Sequence, residues 1–230
     1  NVRPRPTPGS AGARTLQSAV MAASTSTSRV RLRSVLCAWL AALVVALPAF
    51  AEPREPVLLV VGDSISAGYG LPAGTVWVDL LAARLRTQGY RYRVVNASIT
   101  GDTTAGGRAR LTALLVAHQP AIVIIELGGN DALRGGRLAA TRENLDAMVT
   151  LAQRAKAKVL LVGMQMPSNY GPAYVREFSE VFTAVAKPHR IPLVPFFFEG
   201  FGEDIAYSQS DRIHPTAEAQ PRLLDNAWPA

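Results

Sequence analysis

The chain has almost no cysteine: Cys37 is the only one in 230 residues. That excludes a disulfide framework and any four-cysteine zinc site. No G-x-x-x-x-G-K-[ST] segment occurs, so there is no phosphate loop. Repeats, low-complexity tracts and linkers are missing between Glu52 and Ala230. Also missing is an uninterrupted apolar run of about 20 residues, the length a membrane-spanning helix needs. Finally, the first 51 residues contain no acidic residue. What is present is a chain 49% hydrophobic and 18% charged, too apolar to be intrinsically disordered. Its length suits one domain, or one domain with extras. The formal net charge of +7 would suggest a polyanionic partner, if the charge lay on the folded part.

It does not. Residues 1 to 28 are rich in Pro, Gly, Ser, Thr and Ala without hydrophobic periodicity, and the first methionine is Met21. We expect residues 1–20 to be a disordered leader or upstream translation. Arg29, Arg31 and Arg33 then precede an apolar run from Val35 to Phe50, which Pro48 interrupts before Ala49-Phe50-Ala51. A basic segment, a short apolar segment and a small-x-small site read as a signal peptide over 21–51, cleaved after Ala51, rather than a membrane anchor. Cys37 lies at the start of the apolar run, which argues against a lipoprotein. Six of the 24 basic residues fall before the cut, leaving 18 against 17 acidic residues and a net charge of +1 for residues 52–230. Neither a nucleic-acid partner nor a stable membrane anchor is then expected.

Residues 52–230 should form one domain, burying about 70% of the surface of its unfolded chain. Short β-branched runs recur at Val57–Val61, Tyr92–Val95, Ile122–Ile125, Val159–Val162 and Leu193–Phe196, as expected of strands buried on both faces. Between them, helical spacing appears near Val76–Thr87, Thr104–Ala117, Ala140–Ala155 and Pro172–Lys187, with a last helix after Pro215. This alternation predicts a parallel sheet with helices on both faces, which binds ligands beyond the carboxyl ends of its strands.

Chemistry-bearing residues stand at those ends. The first strand runs into Gly62-Asp63-Ser64-Ile65-Ser66, where a serine would be exposed at the top of the sheet; an ordinary helix cap would use the same residues. It is not the G-x-S-x-G elbow, since position 66 is Ser. The second strand leads to Asn96-Ala97-Ser98-Ile99-Thr100-Gly101-Asp102, whose glycine permits close backbone approach to a ligand. Asn96-Ala97-Ser98 fits a glycosylation acceptor but lies at a strand end. The third strand ends in Glu126-Leu127-Gly128-Gly129-Asn130-Asp131, where Asn130 offers an amide donor on what also reads as a plain turn. Near the C-terminus comes Asp211-Arg212-Ile213-His214-Pro215; residues at i and i+3 can share one side, so the carboxylate can hold the imidazole, although a fragment of a metal site would look alike. His118 reads as a structural helix end and His189 as loop.

In this order, Ser64, Gly101, Asn130 and His214 resemble the four defining residues of the GDSL-type SGNH hydrolases. The chain is most similar to their secreted bacterial subgroup of multifunctional thioesterases, arylesterases and lysophospholipases. Segments 62–70, 96–103, 126–135 and 211–215 carry the likeness, and Met166-Pro167-Ser168-Asn169-Tyr170-Gly171 resembles the subgroup's pocket loop. Ile65 departs from the family's leucine, a swap of similar volume. The chain also stops soon after Trp228, where relatives continue their last helix; a shortened helix would leave apolar surface uncovered.

The resemblance implies a three-layer α/β/α sandwich around a flavodoxin-like parallel sheet of about five strands. It implies an exported, periplasmic or secreted serine esterase acting on small-molecule acyl esters and thioesters, with neither cofactor nor metal. Ser64 would be the nucleophile, His214 its base and Asp211 the orienting acid. Ser64, Gly101 and Asn130 would form the oxyanion hole. Leu133, Met166, Pro167 and Tyr170 would line the acyl groove, although Met166 could equally fill the core. Two other readings stay open here: a carbohydrate or peptidoglycan O-acetyl esterase, and a silent lipid- or glycan-binding module on the same fold.

Overall fold

The computed structural model describes residues 55–230. The segments expected to be a leader (1–20) and a signal peptide (21–51), with Cys37, lie outside the described residues.

Five parallel strands form one sheet: β1 (Val57–Gly62), β2 (Arg93–Asn96), β3 (Ile122–Glu126), β4 (Lys158–Val162) and β5 (Leu193–Val194). Their order is β2-β1-β3-β4-β5, with Leu59 opposite Val95 on one side and Val123 on the other. The helices are α1 (Ser64–Ala67), α2 (Trp77–Thr87), α3 (Thr104–His118), α4 (Gly129–Leu133), α5 (Leu138–Arg154), α6 (Pro172–His189) and α7 (Gln220–Ala227). The helix α2 packs on α7, while α3 packs on α5 and α5 on α6. This is the expected three-layer sandwich. Every residue of β1 is buried, which is why its sequence Val-Leu-Leu-Val-Val-Gly shows no polar alternation. Around the sheet lie the fully buried Trp77, Met148, Phe178, Phe182 and Phe197. Each large side chain of this kind contributes roughly 1.5–3 kcal/mol by leaving water.

In this strand order the chain leaves β1 toward β2 on one side and returns to β3 on the other. The crevice at that reversal, beyond the carboxyl ends of β1 and β3, is where such sheets bind ligands.

Three details depart from the sequence reading. The strand β5 stops at Val194 instead of reaching Phe196, because Pro195 has no N–H for the ladder. The chain still follows β4, since the Phe197 N–H donates to the Gly163 carbonyl at 2.9 Å. Gly129–Leu133, expected as a turn, is a short helix with Asp131 in its first turn, where a carboxylate suits the dipole. His189 is not in a loop: α6 runs through Pro188 to His189, whose ring contacts Asp146 at 2.8 Å and Gln153 at 3.1 Å. The last helix buries Leu223, Leu224 and Ala227, so its apolar side is packed within the described residues.

Candidate active site

Ser64 opens α1 immediately after β1. Asp63 caps that helix, its Oδ1 accepting the Ile65 N–H at 3.0 Å, and Gly68 ends it in the left-handed conformation. The first N–H groups of a helix have no partner within it, and here Asp63 satisfies that of Ile65. Gly62 is required just before: a Cβ there would lie 2.6 Å from Glu126 Oε2 and 2.8 Å from the Ser66 side chain.

The far side of the crevice is the segment 208–215, pinched by an antiparallel bridge between Ser208 and Pro215. Gln209 binds it to the turn after α1, donating to the Tyr69 carbonyl at 2.8 Å and the Pro215 carbonyl at 3.0 Å. Inside it, Asp211 Oδ1 accepts the N–H groups of Ile213 and His214 at 2.9 and 3.0 Å. Asp211 Oδ2 lies 2.6 Å from His214 Nδ1, and His214 Nε2 lies 2.8 Å from Ser64 Oγ. Partial burial alone would raise the Asp211 carboxyl, but the hydrogen bonds from His214 and Ile213 bring it down to about 2. An ionised carboxylate can only accept, so Nδ1 must carry the proton and Nε2 is free to accept from the serine. Residues 150 positions apart thus form a chain from carboxylate to imidazole to hydroxyl. One face of the imidazole is covered by Tyr69, ring centroids 4.5 Å apart, while Tyr69 stays 49% exposed.

Asn130, on α4, donates through Nδ2 to Asp63 Oδ2 at 3.0 Å, so the residue that caps α1 also orients the asparagine amide. Burial raises the Asp63 carboxyl to about 6, against the opposing pull of its bonds from Ile65 and Asn130. Glu126, fully buried at the end of β3, is raised well above the usual carboxylate range by burial and by the neighbouring Asp63. Its Oε2 receives Ser66 Oγ at 2.6 Å, and Ser66 Oγ in turn receives Trp77 Nε1 at 3.1 Å.

Gly101 sits on the loop beyond β2 with φ +78°, a conformation open to glycine at no steric cost. Arg134, just past α4, donates to the Gly101 carbonyl at 3.0 Å. Asp131 joins the same two segments, accepting from Thr104 N at 2.9 Å and Thr104 Oγ1 at 2.5 Å. Asn96 turns its amide inward, donating to the Ser66 carbonyl at 2.7 Å.

The structure therefore brings Ser64, Asp211, His214 and Asn130 together, with Gly101 on the adjoining loop. The residues expected to line an acyl groove divide. Met166 is only 6% exposed and packs in the core, Leu133 is half-buried, and Pro167 and Tyr170 are exposed. Tyr170 stacks on Tyr174, whose hydroxyl donates to the Ala132 carbonyl at 3.2 Å. The reading from sequence saw the helix cap at Asp63 but not its bond from Asn130, and it missed Asp131, Thr104, Glu126 and Tyr69. A faint signal existed for one of them: Glu126 is a carboxylate closing an otherwise apolar buried strand. Among the described residues no group of three or more His, Cys, Asp or Glu could hold a metal ion, and no helix is long and apolar enough to cross a membrane.

Residues 60–221 match the GDSL-like Lipase/Acylhydrolase family. The chain is 56% identical over 178 residues to Esterase TesA of Pseudomonas aeruginosa, covering 77% of this chain and 89% of that protein. It is 41% identical over 183 residues to Thioesterase 1/protease 1/lysophospholipase L1 of Escherichia coli (strain K12), covering 80% and 86%. Among solved structures, one described as the crystal structure of TesA superposes with a TM-score of 0.74 at 57% identity, covering 75% of this chain and 96% of that one.

Proposed function

Because the chain belongs to the GDSL-like Lipase/Acylhydrolase family and is thereby a carboxylic ester hydrolase, we propose that it transfers acyl groups from esters and thioesters to Ser64 and then to water. The observation that carries this reading is the run Asp211 Oδ2–His214 Nδ1 (2.6 Å) and His214 Nε2–Ser64 Oγ (2.8 Å). In acylation His214 takes the serine proton while Oγ bonds to the substrate carbonyl carbon, and Asp211 stabilises the imidazolium. The tetrahedral intermediate collapses, its bond to the alkoxide or thiolate breaks, and His214 returns the proton to the leaving group. Water then attacks the acyl-serine by the same route. Negative charge on the carbonyl oxygen is met by the N–H groups of Ser64 and Gly101 and by the Asn130 amide, whose other N–H is already held by Asp63.

Substrates of this site are aryl esters, short-to-medium acyl esters, acyl-thioesters and lysophospholipids; the names of relatives, which include thioesterase, lysophospholipase and arylesterase, support the aryl, thioester and lysophospholipid members of that range. The acyl chain lies along Leu133, Pro167 and Tyr170, with Met166 beneath them. Export follows from the segment read as a signal peptide over 21–51, with residues 1–20 ahead of it and the catalytic domain at 52–230. The working enzyme is then periplasmic or secreted.

The test is Ser64→Ala measured beside wild type across a matrix of acyl lengths and oxygen-ester, thioester and lysophospholipid leaving groups. Turnover should drop by at least about 10³-fold with the thermal midpoint retained. Unchanged turnover would place the nucleophile elsewhere, and activity confined to acetyl esters would refute the broad acyl range.

A further inference from the structure

The helix α3 carries a largely buried cation that the chemistry above does not use. Arg110 has a side chain 21% exposed and reaches acceptors on two different segments. Its Nε and Nη2 meet Asp102 Oδ2 at 2.8 and 2.7 Å. Its Nη1 donates to the Ala97 carbonyl, and Nη2 approaches the Gly62 carbonyl at 3.5 Å. Gly62 immediately precedes Asp63 and Ser64, whereas Ala97 and Asp102 bracket the loop that holds Gly101. The same two segments touch directly, since the Ile99 N–H donates to the Gly62 carbonyl at 3.0 Å. Room for the Asp102 carboxylate comes from Gly106, where a Cβ would lie 2.0 Å from Asp102 Oδ1. That oxygen is also held by the Thr103 N–H at 2.9 Å.

The geometry points to Arg110, with Asp102 as its counter-charge, as a positioning residue that sets the spacing of two backbone oxyanion donors, the N–H groups of Ser64 and Gly101. This inference rests on the acyl-serine reading above. A guanidinium keeps its proton and offers five donors in a rigid plane, so it can hold three acceptors at fixed separation; an ammonium cannot. Donors that drift apart lose little with a neutral substrate carbonyl and much with the developing oxyanion. The effect of Arg110 should therefore appear in kcat more than in KM.

Arg110→Ala and Arg110→Lys, made in the full chain, are compared with wild type by p-nitrophenyl butyrate kinetics, thermal unfolding and binding of a phenylboronic acid. That probe forms a bond from Ser64 Oγ to boron, the serine proton passing to His214, and leaves an anionic tetrahedral centre in the hole. For Arg110→Ala we expect kcat to fall about 10²-fold with KM within about threefold, boronate affinity falling with kcat, and added guanidinium ion restoring kcat about tenfold. Arg110→Lys should lie between the two. If Arg110→Ala does not fold, Asp102→Asn should show a smaller loss of kcat in the same direction with KM unchanged. A kcat within about threefold of wild type in both Arg110→Lys and Asp102→Asn overturns the assignment. So does a loss of kcat that guanidinium ion leaves unrestored and boronate binding does not follow. Turnover persisting in Ser64→Ala would instead overturn the acyl-serine reading itself.

Discussion

Asp63 offers a substitution in which activity and stability should separate. In the native protein its two oxygens accept from different donors, Oδ1 from Ile65 N and Oδ2 from Asn130 Nδ2, both at 3.0 Å. Asp63→Asn keeps the shape but leaves one acceptor oxygen and introduces an NH2 group. Whichever way that amide is turned, one donor faces another donor. Either the cap of α1 loosens beneath Ser64, or Asn130 turns its carbonyl toward the developing oxyanion. Losing one such donor typically costs about 10²–10³ in kcat, roughly 2.7–4 kcal/mol. The expected result with p-nitrophenyl butyrate, normalised by active-site titration, is a loss in that range with KM little changed.

Stability should not follow activity. Burial raises the Asp63 carboxyl from 3.8 to about 6 in the folded protein. Between these values the folded state holds a proton that the unfolded chain releases, so stability falls as pH rises through that window and levels off above it. The shift corresponds to about 3 kcal/mol lost between low and neutral pH. Asp63→Asn removes this charge, at the cost of about 1–3 kcal/mol for the unpaired donor. At neutral pH it should unfold in urea within about 2 kcal/mol of wild type, and its stability should fall less between pH 4 and 7. A kcat within about threefold of wild type would refute the anchoring of Asn130 through Asp63. A parallel collapse of urea stability and activity would refute the separation.

Two further substitutions probe the same neighbourhood. Gly62→Ala would drive a methyl group against Glu126 Oε2 and the Ser66 side chain, so it should lower urea stability by about 1–3 kcal/mol and reduce kcat with it; an unperturbed unfolding midpoint would contradict the packing under α1. Asp211→Asn would face His214 Nδ1 with an amide able to donate, favouring the other tautomer, and kcat should fall on the order of 10⁴-fold with the fold intact; a loss under tenfold would argue against the carboxylate as orienting group.

Elements with one environment along their length were readable from residue order. The strands β1, β3 and β4 are covered on both faces, so apolar β-branched runs suffice to mark them. β5 was overextended because Phe196 continues the apolar run while Pro195 removes the donor that pairing needs. The helix at Gly129–Leu133 was not legible, since Gly, Asn and Asp are turn formers whose helical use here depends on neighbours such as Thr104, which binds Asp131. His189 looked like loop because a proline precedes it, yet Asp146 and Gln153 of another helix hold it at the end of α6.

By itself the sequence determined the alternation of strand and helix, the uneven placement of charge, and the identities of Ser64, Gly101, Asn130, Asp211 and His214 at segment ends. These are properties of neighbours along the chain, carried by periodicity and short spacing. Only the tertiary structure decided what those residues face. That Asp63 serves both Ile65 and Asn130, that the buried Glu126 accepts from Ser66, and that Arg110 holds Gly62, Ala97 and Asp102 together all depend on groups distant in sequence. Burial and hydrogen bonding are set by what surrounds a group in space. A carboxylate's charge, an amide's orientation and the spacing of two backbone donors therefore become definite only when the sheet brings its strand ends to one edge.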